Sequence, residues 1–176
     1  GSVAWGSAGP VLFKRGAQAF GDLVVDDGLG GQTSRNWTPL THIGFGRSRA
    51  VGVDTLVSDG RVRWLPGGLA GLELVPDTTG PETFTVRSNT ATSLTVDVSG
   101  GTNVNDAVSK GDEYCALYRF DNLRIQRGGW MVLGDRLDVD GELRVDGHGV
   151  LTHYDATTGF VSRLDLAAGS VALAAD

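Results

Sequence analysis

Apolar and polar residues alternate along most of this chain with a period of two, which predicts strands rather than helices. No window of about 11 residues keeps apolar positions at helical spacing without a glycine or proline interrupting it. The alternation is cleanest in Asn122-Leu-Arg-Ile-Gln126, Arg136-Leu-Asp-Val-Asp140, Glu142-Leu-Arg-Val-Asp146 and Arg163-Leu-Asp-Leu-Ala167. In each, aliphatic residues occupy one face and mostly charged residues the other, as a half-buried strand requires.

The spacing between these strands carries a second expectation. The Leu-x-apolar unit at Leu123/Ile125 returns 20 residues later at Leu143/Val145 and 21 later again at Leu164/Leu166. Met131/Leu133, Val150/Leu151 and Val171/Leu173 follow as a second wall, and Leu137/Val139 with Phe160/Val161 as a third. A fixed period with three walls predicts an all-β fold built on a short, right-handed parallel β-helix, or solenoid, whose coils stack aliphatic on aliphatic. Tight turns at Asp140-Gly141 and Asp146-Gly147 also suit an antiparallel meander, but a meander gives no reason for a fixed return.

The same signature occurs in Val11-Leu-Phe13 and at Leu23/Val25, then breaks off. The expected organisation is N-terminal solenoid strands over 1–31, an inserted small β-barrel-like domain over 32–118, and solenoid coils over 119–176. Candidate strands of the insertion are Ala50 to Val57, Val62 to Leu65, Leu72 to Val75, Thr83 to Arg87, Ser93 to Val98 and Glu113 to Tyr118. Turn clusters such as Ser58-Asp-Gly60, Pro66-Gly-Gly68 and Ser99-Gly-Gly101 separate them. Gly1-Ser2 reads as a fusion-tag remnant, so the chain is expected to be cut from a larger protein.

Composition narrows the function classes. Glycine at 27 of 176 residues is about twice ordinary usage and fits many turns. A net charge of −6 leaves no basic footprint for nucleic acid and no polybasic stretch for anionic lipid. No apolar run reaches the roughly 20 residues of a membrane-spanning helix. The single cysteine, Cys115, excludes an internal disulfide and reads as a packed strand residue.

The run Gly71-Leu-Glu-Leu-Val-Pro-Asp, followed by Thr83 to Asp97 and Lys110-Gly-Asp-Glu-Tyr114, resembles a module that recurs in large bacterial secreted or surface proteins. There it often precedes a segment similar to Phe120-Asp-Asn-Leu-Arg-Ile-Gln-Arg-Gly128. The resemblance covers roughly residues 10 to 176 and is most specific in the Ser88 to Asp97 strand-turn-strand. It implies a non-catalytic, adhesin-like structural building block, extracellular or on a bacterial cell surface. Its expected partners are neighbouring modules of one long chain and a surface glycan or protein, with self-association through exposed strand edges.

Candidate chemistry is sparse, and no cofactor or catalytic residue is expected. His42, His148 and His153 are too dispersed for a metal site. The acids Asp135, Asp138, Asp140, Glu142 and Asp146 are candidates for calcium, but Arg124, Arg136 and Arg144 alternate with them, and a solvated ladder of opposite charges is the plainer reading. The alternative function is a carbohydrate-binding module or a fragment of a polysaccharide-active β-helix enzyme, with Trp37 and Trp130 as the aromatic glycan contacts. No Gly-x-Ser-x-Gly elbow and no phosphate-binding glycine loop occurs.

Overall fold

A computed structural model of the protein describes residues 11–28, 37–153 and 165–173. In chain order the strands are β1 (Val11–Phe13), β2 (Asp22–Asp26), β3 (Trp37–Pro39), β4 (Gly46–Val51), β5 (Thr55–Ser58), β6 (Glu73–Val75), β7 (Phe84–Asn89) and β8 (Ser93–Val96). A single helical turn, α1 (Val104–Ala107), separates these from β9 (Glu113–Phe120), β10 (Asn122–Gln126), β11 (Trp130–Leu133), β12 (Arg136–Val145), β13 (Val150–His153) and β14 (Asp165–Leu173).

The chain is all-β, but the expected fold class, a parallel β-helix or solenoid, is corrected by the pairing. Its closed unit is a six-stranded antiparallel barrel in which β9 pairs β4, β4 pairs β5, β5 pairs β8, β8 pairs β7, β7 pairs β6, and β6 returns to β9. The remaining strands extend this sheet through β12, β10, β2 and β1, with β14 on β12, and β13, β11 and β3 form a separate small sheet.

Parallel pairing is present among those extra strands, yet it does not wind into three-walled coils. Leu123 does lie opposite both Leu23 and Leu143. The supposed third wall is absent as a separate wall, because β12 continues from Leu137 to Val145 and places Leu137 and Leu143 in one sheet. Leu166 therefore stands opposite Leu137, whereas the partner of Leu143 is Val171. Leu164, Phe160 and Val161 lie outside the described residues. At the other end, β1 runs antiparallel to β2 instead of adding a coil.

The physical reason lies at Asp140-Gly141. Those residues read as a wall-ending turn, but the strand absorbs them as an irregularity between Val139 and Glu142. The Gly141 N–H donates to the Asp121 carbonyl at 2.8 Å. A side chain there would meet that same carbonyl at 2.7 Å, so glycine allows β12 to approach the Asp121 backbone this closely at the irregularity.

Within the barrel two expected strands also change. Ala50 to Val57 is a hairpin, with the Gly52 N–H donating to the Thr55 carbonyl at 2.8 Å between β4 and β5. Val62 to Leu65 is not a strand. Val62 and Trp64 are nonetheless buried, and Trp64 Nε1 donates to the Ile43 carbonyl at 2.8 Å, so this loop packs its apolar side chains into the barrel core.

Two main cores result. The barrel encloses Ile43, Leu56, Trp64, Leu74, Phe84, Val86, Leu94, Val96 and Tyr114 among others. The parallel base encloses Leu23, Val25, Phe120, Leu123, Ile125, Met131, Leu133, Leu137, Val139 and Leu143. A small cluster of Phe45, Val75, Cys115 and Leu117 stands apart from both.

Equivalent glycines set the spacing of the base. A Cβ on Gly129 would come within 2.6 Å of the Val25 carbonyl, and one on Gly149 within 2.6 Å of the Ile125 carbonyl. Both turns thus press directly on the strand below. Gly129→Ala and Gly149→Ala are each expected to destabilise the fold by about 1–3 kcal/mol, the cost of forcing backbone apart in a packed interior. Gly100→Ala, which meets nothing within 4 Å, should stay within about 0.5 kcal/mol of the parent. Denaturant unfolding midpoints check all three.

Candidate functional site

Among the described residues Asp135 is the one acidic side chain fully withdrawn from water, at 0% exposure. It sits immediately ahead of β12, and its carboxylate accepts three backbone hydrogen bonds. The Gly44 and Ala116 N–H groups donate to Oδ1, each at 2.8 Å, and the Ile43 N–H donates to Oδ2 at 2.9 Å. Ile43 and Gly44 lead into β4, and Ala116 lies in mid-β9, so the acid ties the barrel to the start of the base strand. Burial pushes its pKa up to about 6, against the opposing pull of the three donors. It is therefore mainly ionised at neutral pH, which suits an acceptor facing only N–H groups.

The remaining acids of the expected calcium cluster are spread along β12 and its turn. Asp138 accepts from Arg136 Nε at 3.2 Å. Asp146 accepts from Arg144 Nε at 2.8 Å and from Arg124 Nη2 at 3.1 Å. The Arg144 hydrogen bond, with Arg124 adding to it, holds the Asp146 carboxyl below the usual range. Among the described residues no three His, Cys, Asp or Glu side chains gather as a metal site would require.

A second polar ladder crosses the strands at their outer face. Asn122 Nδ2 donates to Asp22 at 2.8 Å, while its Oδ1 accepts the Glu142 N–H at 2.9 Å. Gln126 Nε2 donates to Asp26 at 2.7 Å, and Arg127 pairs with the same carboxylate. Asp121 accepts from the Phe20 and Gly21 N–H groups, closing the start of β2 onto β10.

Trp37 and Trp130, the expected glycan contacts, come together in the small sheet. Trp130 is the register partner of Trp37 on one side and of Val150 on the other. In-register neighbours of this kind are about 4.8 Å apart. Trp130 is partly exposed, whereas Met131, next to it, is fully buried.

The histidines stay apart. His42, partly buried, has its pKa lowered by desolvation, and its Nδ1 lies 3.3 Å from the Leu40 carbonyl. His148 occupies a left-handed turn at φ 61°, and His153 ends β13. Cys115 is fully buried in its small apolar cluster. Tyr114 is buried too, its hydroxyl donating to Ser58 Oγ at 2.8 Å, and burial pushes its pKa up to about 12. No helix of the described residues is long and apolar enough to cross a membrane.

Sequence reasoning grouped Asp135 with its neighbours and missed its separate role. One signal was available: Asp135 follows the buried run Met131 to Leu133 and precedes Leu137, so a strand-ending acid falls between two core segments.

Asp135→Asn should cost about 1–3 kcal/mol, because its amide group would point a donor at backbone donors. Carbon-13 shifts of the Asp135 carboxyl should titrate near pH 6; titration near or below the ordinary 3.8 would contradict the burial argument. Since the folded value lies above the unfolded one, the linked stabilisation is complete in acid below 3.8 and is lost as pH rises through about 6. Unfolding free energies across that interval should show this slope in the parent and not in Asp135→Asn.

No protein family, no curated protein and no solved structure matches this chain.

Proposed function

We propose that this chain is a non-catalytic structural and adhesive module of a larger extracellular or cell-surface protein of bacterial type. The parallel strands act as a base and the antiparallel barrel as the element held out from it. The observation that carries this reading is the Asp135 junction, where a buried carboxylate is spent entirely on backbone donors from barrel and base. Such a junction fixes the two units against each other, as a rigid spacer needs. The polar ladders of the base have the same character, since Asp22, Asp26 and Asp146 are each engaged by a side chain of the neighbouring strand β10.

A second reading, glycan binding, is favoured by one specific observation. Trp37 and Trp130 hold adjacent register positions in the small sheet, where aromatic rings can supply successive stacking surfaces to sugar faces.

Glycan-array binding and polysaccharide digestion separate the readings. The structural module is expected to release no oligosaccharide from any polysaccharide offered. Binding that is lost in both Trp37→Ala and Trp130→Ala, with folding intact by circular dichroism, would establish the second reading. Oligosaccharide release that persists through repurification would overturn the non-catalytic one.

A further inference from the structure

The aliphatic ladder of the base ends in an exposed residue at each edge, Leu12 of β1 opposite Leu23 and Val171 of β14 opposite Leu143. Leu23, Leu123 and Leu143 are 4%, 0% and 2% exposed, whereas Val171, the next in register, is 57% exposed. Among the described residues β14 pairs with β12 alone. Charge differs just as sharply between these two strands. β12 carries Arg136, Asp138, Asp140, Glu142 and Arg144, but the only charged residue of β14 is Asp165 at its first position. Edge strands that must stay single are normally guarded by charge or proline, and β14 has neither beyond that first residue.

The pattern of β14 is also palindromic. Leu166, Ala168, Val171 and Leu173 stand opposite the inward positions Leu137, Val139, Leu143 and Val145. Ala167 and Ala172 stand opposite the outward positions Asp138 and Arg144. The kink between these halves falls at Gly169, where a Cβ would strike the Gly141 carbonyl at 2.9 Å. Inward and outward positions therefore read the same in both directions about the Gly169-Ser170 bond.

We propose that β14 is a self-association edge whose occupant is β14 of a second copy, paired antiparallel about a two-fold axis at that bond. The register sets Leu166 against Leu173, Ala168 against Val171 and Ala167 against Ala172, so Ala168 meets Val171 on the inward side and Ala167 meets Ala172 on the outward side. A closed two-fold interface requires this self-complementarity. Parallel pairing in register would instead set Asp165 beside Asp165. The inference deepens the structural reading by naming a partner, a second copy of this chain.

Sedimentation velocity over a wide concentration range tests it. The parent is expected to show a reversible monomer–dimer equilibrium that stops at the dimer. Val171→Lys, which places a charge opposite Ala168 of the other copy, should leave the protein monomeric throughout. Val53→Lys, at an exposed barrel position, should dimerise like the parent, and circular dichroism should show both variants folded. If Val171→Lys does not fold, amide exchange in the parent decides, with protection of β14 expected to rise with concentration. A parent that is monomeric at every concentration, one that forms open-ended polymers, or a dimer that Val171→Lys leaves intact would overturn the proposal. Those outcomes leave the non-catalytic reading standing, since polysaccharide digestion tests that separately.

Discussion

An ionised carboxylate without a cation beside it is costly to bury, and the fold accepts that cost at Asp135 because three backbone donors converge there. The convergence has a topological origin. β9 is shared between two arrangements: Glu113 and Tyr114 pair with β4, Cys115 to Leu117 with β6, and Leu117 to Phe120 with β12. Along those eight residues the strand passes from an antiparallel barrel to a parallel sheet. Asp135, at the entrance to β12, receives the Ala116 N–H in the middle of that passage.

The same passage explains the small third core. Phe45, Val75, Cys115 and Leu117 are buried together but belong to neither large cluster. They surround the stretch of β9 where its alternation changes surroundings, so that successive residues Tyr114, Cys115 and Ala116 are all fully buried. Tyr114 and Ala116 face the barrel core, and Cys115 faces the smaller cluster. A strand covered on both faces reads as a continuous apolar run, and Tyr114-Cys-Ala-Leu-Tyr118 is such a run. Cys115 packs in that small cluster.

Much of the local structure was legible in the sequence, and much of the pairing was not. Alternation located strands at Leu23/Val25, Leu123/Ile125, Leu137/Val139 and Leu143/Val145, because the inward face of a strand must be aliphatic whatever lies beside it. For the same reason alternation cannot choose a partner: Leu166 fits opposite Leu137 as well as opposite Val145. A glycine also has two uses that look alike in sequence, and Gly141, expected to end a wall, serves as an irregularity within one strand. Trp64 is a further case, since it reaches the core from a loop by means of its indole N–H, a contact that no periodicity encodes. At the candidate site, Trp37 and Trp130 were legible as residues, but their adjacency depended on the parallel pairing of strands far apart in sequence.

Register in the base is specified by several independent devices acting on the same rungs. A slip of one residue would turn Leu123 and Ile125 outward and bring Arg124 into the core. It would also break the Asn122 bridge between Asp22 and the Glu142 N–H, and separate Asp146 from Arg124. Finally it would move Gly129 and Gly149 away from the carbonyls against which only glycine fits. Each exposed ion pair adds little stability by itself. Their contribution is selective: aliphatic burial, polar ladder and glycine contact all favour one alignment, so the base keeps a single register beneath the barrel that Asp135 fastens to it.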